Sequence, residues 1–158
     1  MFTLTRDDFR IQLSGFDLTD GSNILRIACG AFMVPHIAGK FATGTFNPAT
    51  LGFFAKAGMT PPEFWLGLAA TSEFLVGVFL VLGLCTRFAA LGAAAVLLMA
   101  VYALQVVKGF GWTWNTGGYE YPVFWAIAST VVAIDAWKAY FANARRAPGG
   151  LRSGLHPA

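Results

Sequence analysis

The sequence predicts an all-α integral membrane protein, a four-helix bundle with a short interfacial helix between spans 1 and 2. Three observations carry this. Charged residues make up 12% and hydrophobic residues 56% of the 158 residues, whereas a soluble domain carries about 25% charge. Phe64 to Leu84 holds one charge, Glu73, and Phe88 to Val107 holds none. Each meets the roughly 20 residues that a 30 Å hydrocarbon core requires. Finally, Arg26, Cys29, Met33, His36 and Lys40 recur at spacings of three and four, which stacks them on one helix face. A charge at the centre of a membrane helix costs roughly 2.5–3.5 kcal/mol, so this face should point inward at partners.

Residues 1–20 mix scattered Phe and Leu with Asp7, Asp8, Asp17 and Asp20. With no unbroken apolar core, they do not read as a signal peptide. The expectation is an N-terminal arm that stays in the mature protein, interfacial or loosely ordered on the cytoplasmic side. The membrane domain covers 21–141, with spans at about 22–41, 62–84, 88–107 and 120–141. Asp20 or Ser22 caps the first span, and Pro35 inside it should bend it.

The stretch from Ala42 to Thr60 is too polar and Gly-rich to cross. Within it, Asn47-Pro48 is a helix start and Gly58 a stop, with Leu51, Phe54 and Ala55 between them on one face. That pattern describes a helix lying in the headgroup layer. Thr60-Pro61-Pro62-Glu63 reads as a capping box opening the second span. A short turn at Cys85-Thr86-Arg87 leads to the third. Trp112 and Trp114 suit a membrane interface. Glu120 and Pro122 open the fourth span, and the basic stretch 142–158 reads as a disordered cytoplasmic tail.

Four spans place both ends on one side. With the ends cytoplasmic, Arg6, Arg10, Arg26, Arg87, Lys138, Arg145, Arg146 and Arg152 lie inside, and Lys40, Lys56 and Lys108 outside. This excess favours the inner membrane with both termini in the cytoplasm. A net charge of +3 is too small to argue for nucleic acid.

At 1.5 Å per residue, His36 lies roughly 6 Å below Lys40, Glu73 about 16 Å below Pro62, and Arg26 roughly 21 Å below Lys40. Two polar clusters follow. An outer one of His36, Lys40 and Glu120 is the ligand-binding candidate, suited to an anionic or quinone oxygen. A deeper one of Arg26, Glu73 and Asp135 is the ion-pair candidate, because a guanidinium fork can bridge two carboxylates. Glu73, near the midplane, is the proton-handling candidate, and the catalytic set is otherwise unknown. Cys29 and Cys85 read as apolar fillers.

His36 is the only histidine in a span, so a bis-histidine haem within one chain is excluded. No metal site, no covalently bound cofactor and no GxxxxGK, HExxH, GxSxG or GxGxxG motif is found, which argues against ATPase, protease and dinucleotide chemistry.

The segments LRIACGAFMVPHIAGK, GMTPP, EFLVGVFLVLGLCTRFAALG and NTGGYEYPVFWA resemble the DoxX/DoxD family of small four-helix membrane proteins, over roughly 24–135. Arg26, His36, Lys40, Glu73, Arg87, Gly117, Gly118 and Glu120 match its recurrent polar and glycine positions. The resemblance implies an accessory or quinone-facing subunit of a membrane redox complex, with quinone as cofactor and a soluble or membrane redox subunit as partner. One branch of the family is the membrane subunit of a thiosulfate:quinone oxidoreductase. No autonomous catalytic motif accompanies it. The alternatives are a small-anion or lipid carrier, or a scaffold for a soluble partner. Homo-oligomerisation is left open.

Overall fold

A computed structural model of the chain describes residues 3–146. The arm contains two 3₁₀ turns, Arg6–Phe9 and Leu13–Phe16. Asp20 then caps α1, Gly21–Ala31, its side chain accepting from the Ser22 N–H at 2.9 Å. The helix is interrupted at Phe32 and resumes as α2, Met33–Ala38. Pro35 lies one turn beyond Ala31 and has no N–H to return to it, so the ladder breaks where the missing bond would close.

A two-stranded hairpin follows, β1 Phe41–Ala42 with β2 Thr45–Phe46. Its two-residue turn needs positive φ at both positions, and Thr43 (51°) and Gly44 (83°) provide it. Thr-Gly is a weaker signal than Asn-Gly, which is why this hairpin does not stand out in the sequence. Asn47 caps α3, Pro48–Lys56, as its spacing predicts. This short helix packs on the helix that follows.

The second long helix, α4, runs Pro62–Leu82. Its start corrects the expected capping box: Pro61 is the N-cap, and no side chain caps the helix. Pro61 and Pro62 carry no N–H, so fewer donors at this end need a partner. Gly83, at φ 73°, ends α4 in the left-handed region, and the Leu84 N–H returns to Phe79 O at 2.8 Å. That is the glycine-dependent helix stop in which the chain reverses within one turn. The third long helix, α5, runs Thr86–Lys108. The fourth, α6, runs Glu120–Arg146 and takes in the first residues of the expected tail. The rest of that tail, 147–158 with His156, lies outside the described residues.

The α1–α2 segment packs against α4 and α6, and α5 packs against the same two. Arg26 meets Leu80 while Lys40 meets Glu73, so α1–α2 and α4 run antiparallel. Arg87 meets Tyr140, so α5 and α6 do too. Small residues fill the seams. A Cβ on Gly30 would stand 2.6 Å from Gly77 O, so α1 and α4 touch backbone to backbone, a contact open only to residues this small. Ala89, Ala90 and Ala93 line the inner face of α5 beside Ala126 and Ala133 of α6.

The large apolar side chains point the other way. Phe64 and Phe74 on α4, Leu98 and Met99 on α5, and Phe124 and Ile127 on α6 are all exposed. Among the described residues two helices, α4 and α5, are long and apolar enough to cross a membrane, and only 28% of the apolar stretch of each is buried. A core helix of a soluble protein would hide most of that surface. The other segments are less apolar for visible reasons. The first is broken at Phe32, and the apolar stretch of α6 is interrupted by Asp135 and Lys138.

Candidate functional site

The polar side chains inside the helix packing fall at two levels, with pairings different from those the depth scale suggests. At the upper level, Lys40 Nζ donates to Glu73 Oε2 at 2.6 Å, and both side chains are almost fully buried. Lys40 also donates to the His36 carbonyl at 3.3 Å. The expected Arg26–Glu73–Asp135 cluster does not form, for a geometric reason. The first helix is broken and ends at Ala38, so Lys40 is not the top of a straight rod. Its stem folds back inward beside α2, and a four-carbon stem can carry its ammonium well away from its own backbone.

Arg26 sits at the level of Leu80, seven residues from Glu73 on α4, or roughly 10 Å along the axis. Its guanidinium donates to Leu80 O, to Val81 O at 3.0 Å and to Gly15 O. Arg26 therefore caps the C-terminus of α4, where carbonyls lack intrahelical partners and the helix dipole favours a cation. Asp135 is exposed on α6 and makes no ion pair among the described residues.

His36 is exposed on α2, with its ring 5.3 Å from that of Trp125. It lies within electrostatic reach of both Glu73 and Lys40. These three residues are thus brought together, a buried pair with an imidazole on its outer side. Glu120 is not part of the group. It starts α6, accepts from the Trp114 N–H at 3.4 Å, and lines a separate groove with Trp112 and Tyr121. Cys29 and Cys85 are buried free thiols. Among the described residues, no group of His, Cys, Asp or Glu is arranged to hold a metal ion.

The lower level holds a site that sequence reasoning missed. Arg87, which the sequence places only in the short turn and among the inside charges, is buried in the first turn of α5. Its Nη2 donates to Asp8 Oδ2 at 2.5 Å and its Nε to Asp8 Oδ1 at 3.2 Å. Tyr140, Trp137 and Phe88 surround its guanidinium with ring centres at 3.8, 4.7 and 5.1 Å. The Cys85 N–H donates to Asp8 O at 2.6 Å. The N-terminal arm is consequently fastened to the α4–α5 turn rather than loosely ordered. Available signals were the Thr5-x-x-Asp8 spacing and the Trp137/Tyr140 pair one turn apart, but neither identifies Arg87 as the partner.

Burial pushes the Asp8 carboxyl up. The bonds from Thr5 and Arg87, together with the Arg87 charge, outweigh it and hold the group below the ordinary aspartate value. The contribution of this anchor is thus complete above an unfolded pKa of about 3.9 and is lost as pH falls through the lower folded value. Hydrogen exchange at the Cys85 amide, corrected for intrinsic rate, should lose protection in that acid range. Asp8→Asn should lose it at neutral pH. Protection unchanged in Asp8→Asn would refute the anchor.

A second prediction concerns the upper pair. Glu73→Gln leaves a buried ammonium without its counter-charge and should cost about 3–5 kcal/mol in a detergent unfolding titration. Combining Glu73→Leu with Lys40→Met should recover most of that loss. Simple additivity of the single losses would show that the two groups are not coupled.

Among known proteins, the DoxX family model matches residues 21–106, the stretch from the start of α1 to near the end of α5. No curated protein and no solved structure matches the chain. The matched stretch contains Arg26, His36, Lys40, Glu73 and Arg87, so both polar levels draw most of their residues from it. By that match the chain belongs to the DoxX family.

Proposed function

We propose that this chain is a four-span protein of the cytoplasmic membrane with both termini inside, serving as the quinone-facing subunit of a membrane redox complex. The observation that carries the reading is the exposed His36 backed by the buried Lys40–Glu73 pair. A quinone needs hydrogen-bond donors for its two carbonyl oxygens and an apolar route for its tail. His36 offers a donor on the exposed side of α2, where the exposed Phe32 one turn before it packs on the same Trp125 ring. Reduction to the quinol takes two electrons and two protons. The electrons come from a partner redox subunit and the two protons from the aqueous side, with the exposed His36 as their relay and Glu73, held behind it by Lys40, as the proton-handling candidate.

Four crossings are supported by the antiparallel packing of α6 and the α1–α2 segment beside α4 and α5, together with the apolar outer surface. The charge bias of the connecting segments supports the orientation. An alkaline phosphatase fused after Ala158 should be inactive in intact cells, and an active fusion would reverse the topology.

Carrier activity toward a small anion is favoured by one feature, a groove of about 1030 Å³ at the opposite end, lined in part by Arg26 and Arg87. Both guanidiniums are already engaged within the protein, which makes the quinone reading the stronger. Purified protein in nanodiscs should bind a short-tailed benzoquinone saturably. His36→Leu should weaken binding about two- to tenfold, the loss of one hydrogen bond. No saturable binding, and unchanged quinone reduction by the complex when this chain is omitted, would overturn the proposal.

A further inference from the structure

The connection between α5 and α6 builds a second recess, far along α6 from the arm. Its two limbs are laced together by backbone bonds. The Gly118 N–H donates to Thr113 O at 3.0 Å, Tyr119 N–H to Gly111 O at 3.1 Å, and Glu120 N–H to Trp112 O at 3.0 Å. The limbs approach so closely at Gly118 that a Cβ there would stand 2.5 Å from Trp112 O. Glycine is thus required by contact rather than by dihedral angle. Tyr119 is buried beneath the loop with its ring edge-on to Trp112 at 5.8 Å.

This lacing holds Trp112, Trp114 and Tyr121 partly exposed around the Glu120 carboxylate, at the mouth of a groove of about 460 Å³. From Glu120 the groove continues over Val123, Phe124 and Ile127. Phe124 and Ile127 are 69% and 58% exposed, which leaves an open apolar track along α6. Among the described residues Glu120 has only the weak Trp114 N–H bond, so most of its acceptor capacity is unspent where it lines the recess. Lys108, the nearest basic residue in sequence, is bonded to Gly117 O and does not line the groove.

We propose that this groove binds a membrane lipid with an ammonium headgroup. The cation rests against Glu120 and the Trp112, Trp114 and Tyr121 rings, and an acyl chain lies over Phe124 and Ile127. The chemistry selects the sign of the headgroup. Ring faces and a carboxylate both attract a cation, while the carboxylate repels a purely anionic headgroup. The order of the recess, acceptor and indoles first and bare apolar surface after, matches the order of a lipid from interface to hydrocarbon. The proposal rests on the membrane reading of this chain and is independent of quinone binding.

The test uses the full chain in nanodiscs of equimolar phosphatidylethanolamine and phosphatidylglycerol. Native mass spectrometry then measures the lipid that stays bound after release from the disc. The ratio of bound phosphatidylethanolamine to phosphatidylglycerol should exceed the bulk ratio about two- to fivefold, the range of an exposed cation–π contact. Glu120→Gln and Trp114→Ala should each return the ratio to bulk while circular dichroism shows unchanged helix. Trp114 is largely exposed, so its removal keeps the test valid even where Glu120→Gln disturbs the start of α6. A bulk ratio in the wild type, enrichment of phosphatidylglycerol, or a preference that survives in a folded variant would each overturn the proposal. Any of these outcomes leaves the quinone titration unaffected.

Discussion

The Lys40–Glu73 pair is the interaction around which the upper half of the molecule is arranged. It joins the end of the broken first helix to the middle of α4 by a 2.6 Å contact within an apolar interior. Neither charge would be tolerable there alone, since an isolated buried ion forfeits its hydration with nothing in return. The pair therefore constrains the backbone on both sides. α2 must end where Lys40 can turn inward, and α4 must present Glu73 to that side. His36, one helical turn before Lys40, is carried by the same constraint to the outer surface against Trp125.

A different device secures the opposite end. Arg26 and Arg87 are both buried where α1, the α4–α5 turn and α6 converge, and each is held in its own way. Arg26 takes the carbonyls left free at the C-terminus of α4 and one from the arm. Arg87 takes a carboxylate from the arm and three aromatic rings. Guanidinium suits both settings because its planar fork can spread donors over several acceptors and its face can stack on rings. The arm supplies Gly15 O to one and Asp8 to the other, so residues that look like a polar leader become part of the joint at this end.

The two ends differ in character in a way that bears on function. At the arm end both cations are held by partners within the chain, with only the buried Arg87 Nη1 left without a hydrogen bond among the described residues of that joint, which is the condition of a structural joint. At the opposite end the groups keep capacity to spare. His36 is exposed beside a buried pair, and Glu120 faces its recess with a single weak bond. Unspent donors and acceptors at an apolar surface are where lipid-soluble ligands gain specificity.

Composition and local pattern already determined the helical membrane character of the chain, the cap at Asp20, the weak point at Pro35 and the short helix after Asn47. These features depend on residues within one turn of each other and on the bilayer length scale, which any window of sequence reports. The assignment of charges to partners was not legible in the same way. Arg26, Lys40, Glu73, Arg87 and Asp8 come from separate segments, and which of them meet depends on where a helix breaks and how far a side chain folds back. A depth scale built on an unbroken rod set Lys40 apart from Glu73 and gave Glu73 to Arg26. Tertiary structure decided otherwise, because a buried charge takes the nearest partner that packing places within reach.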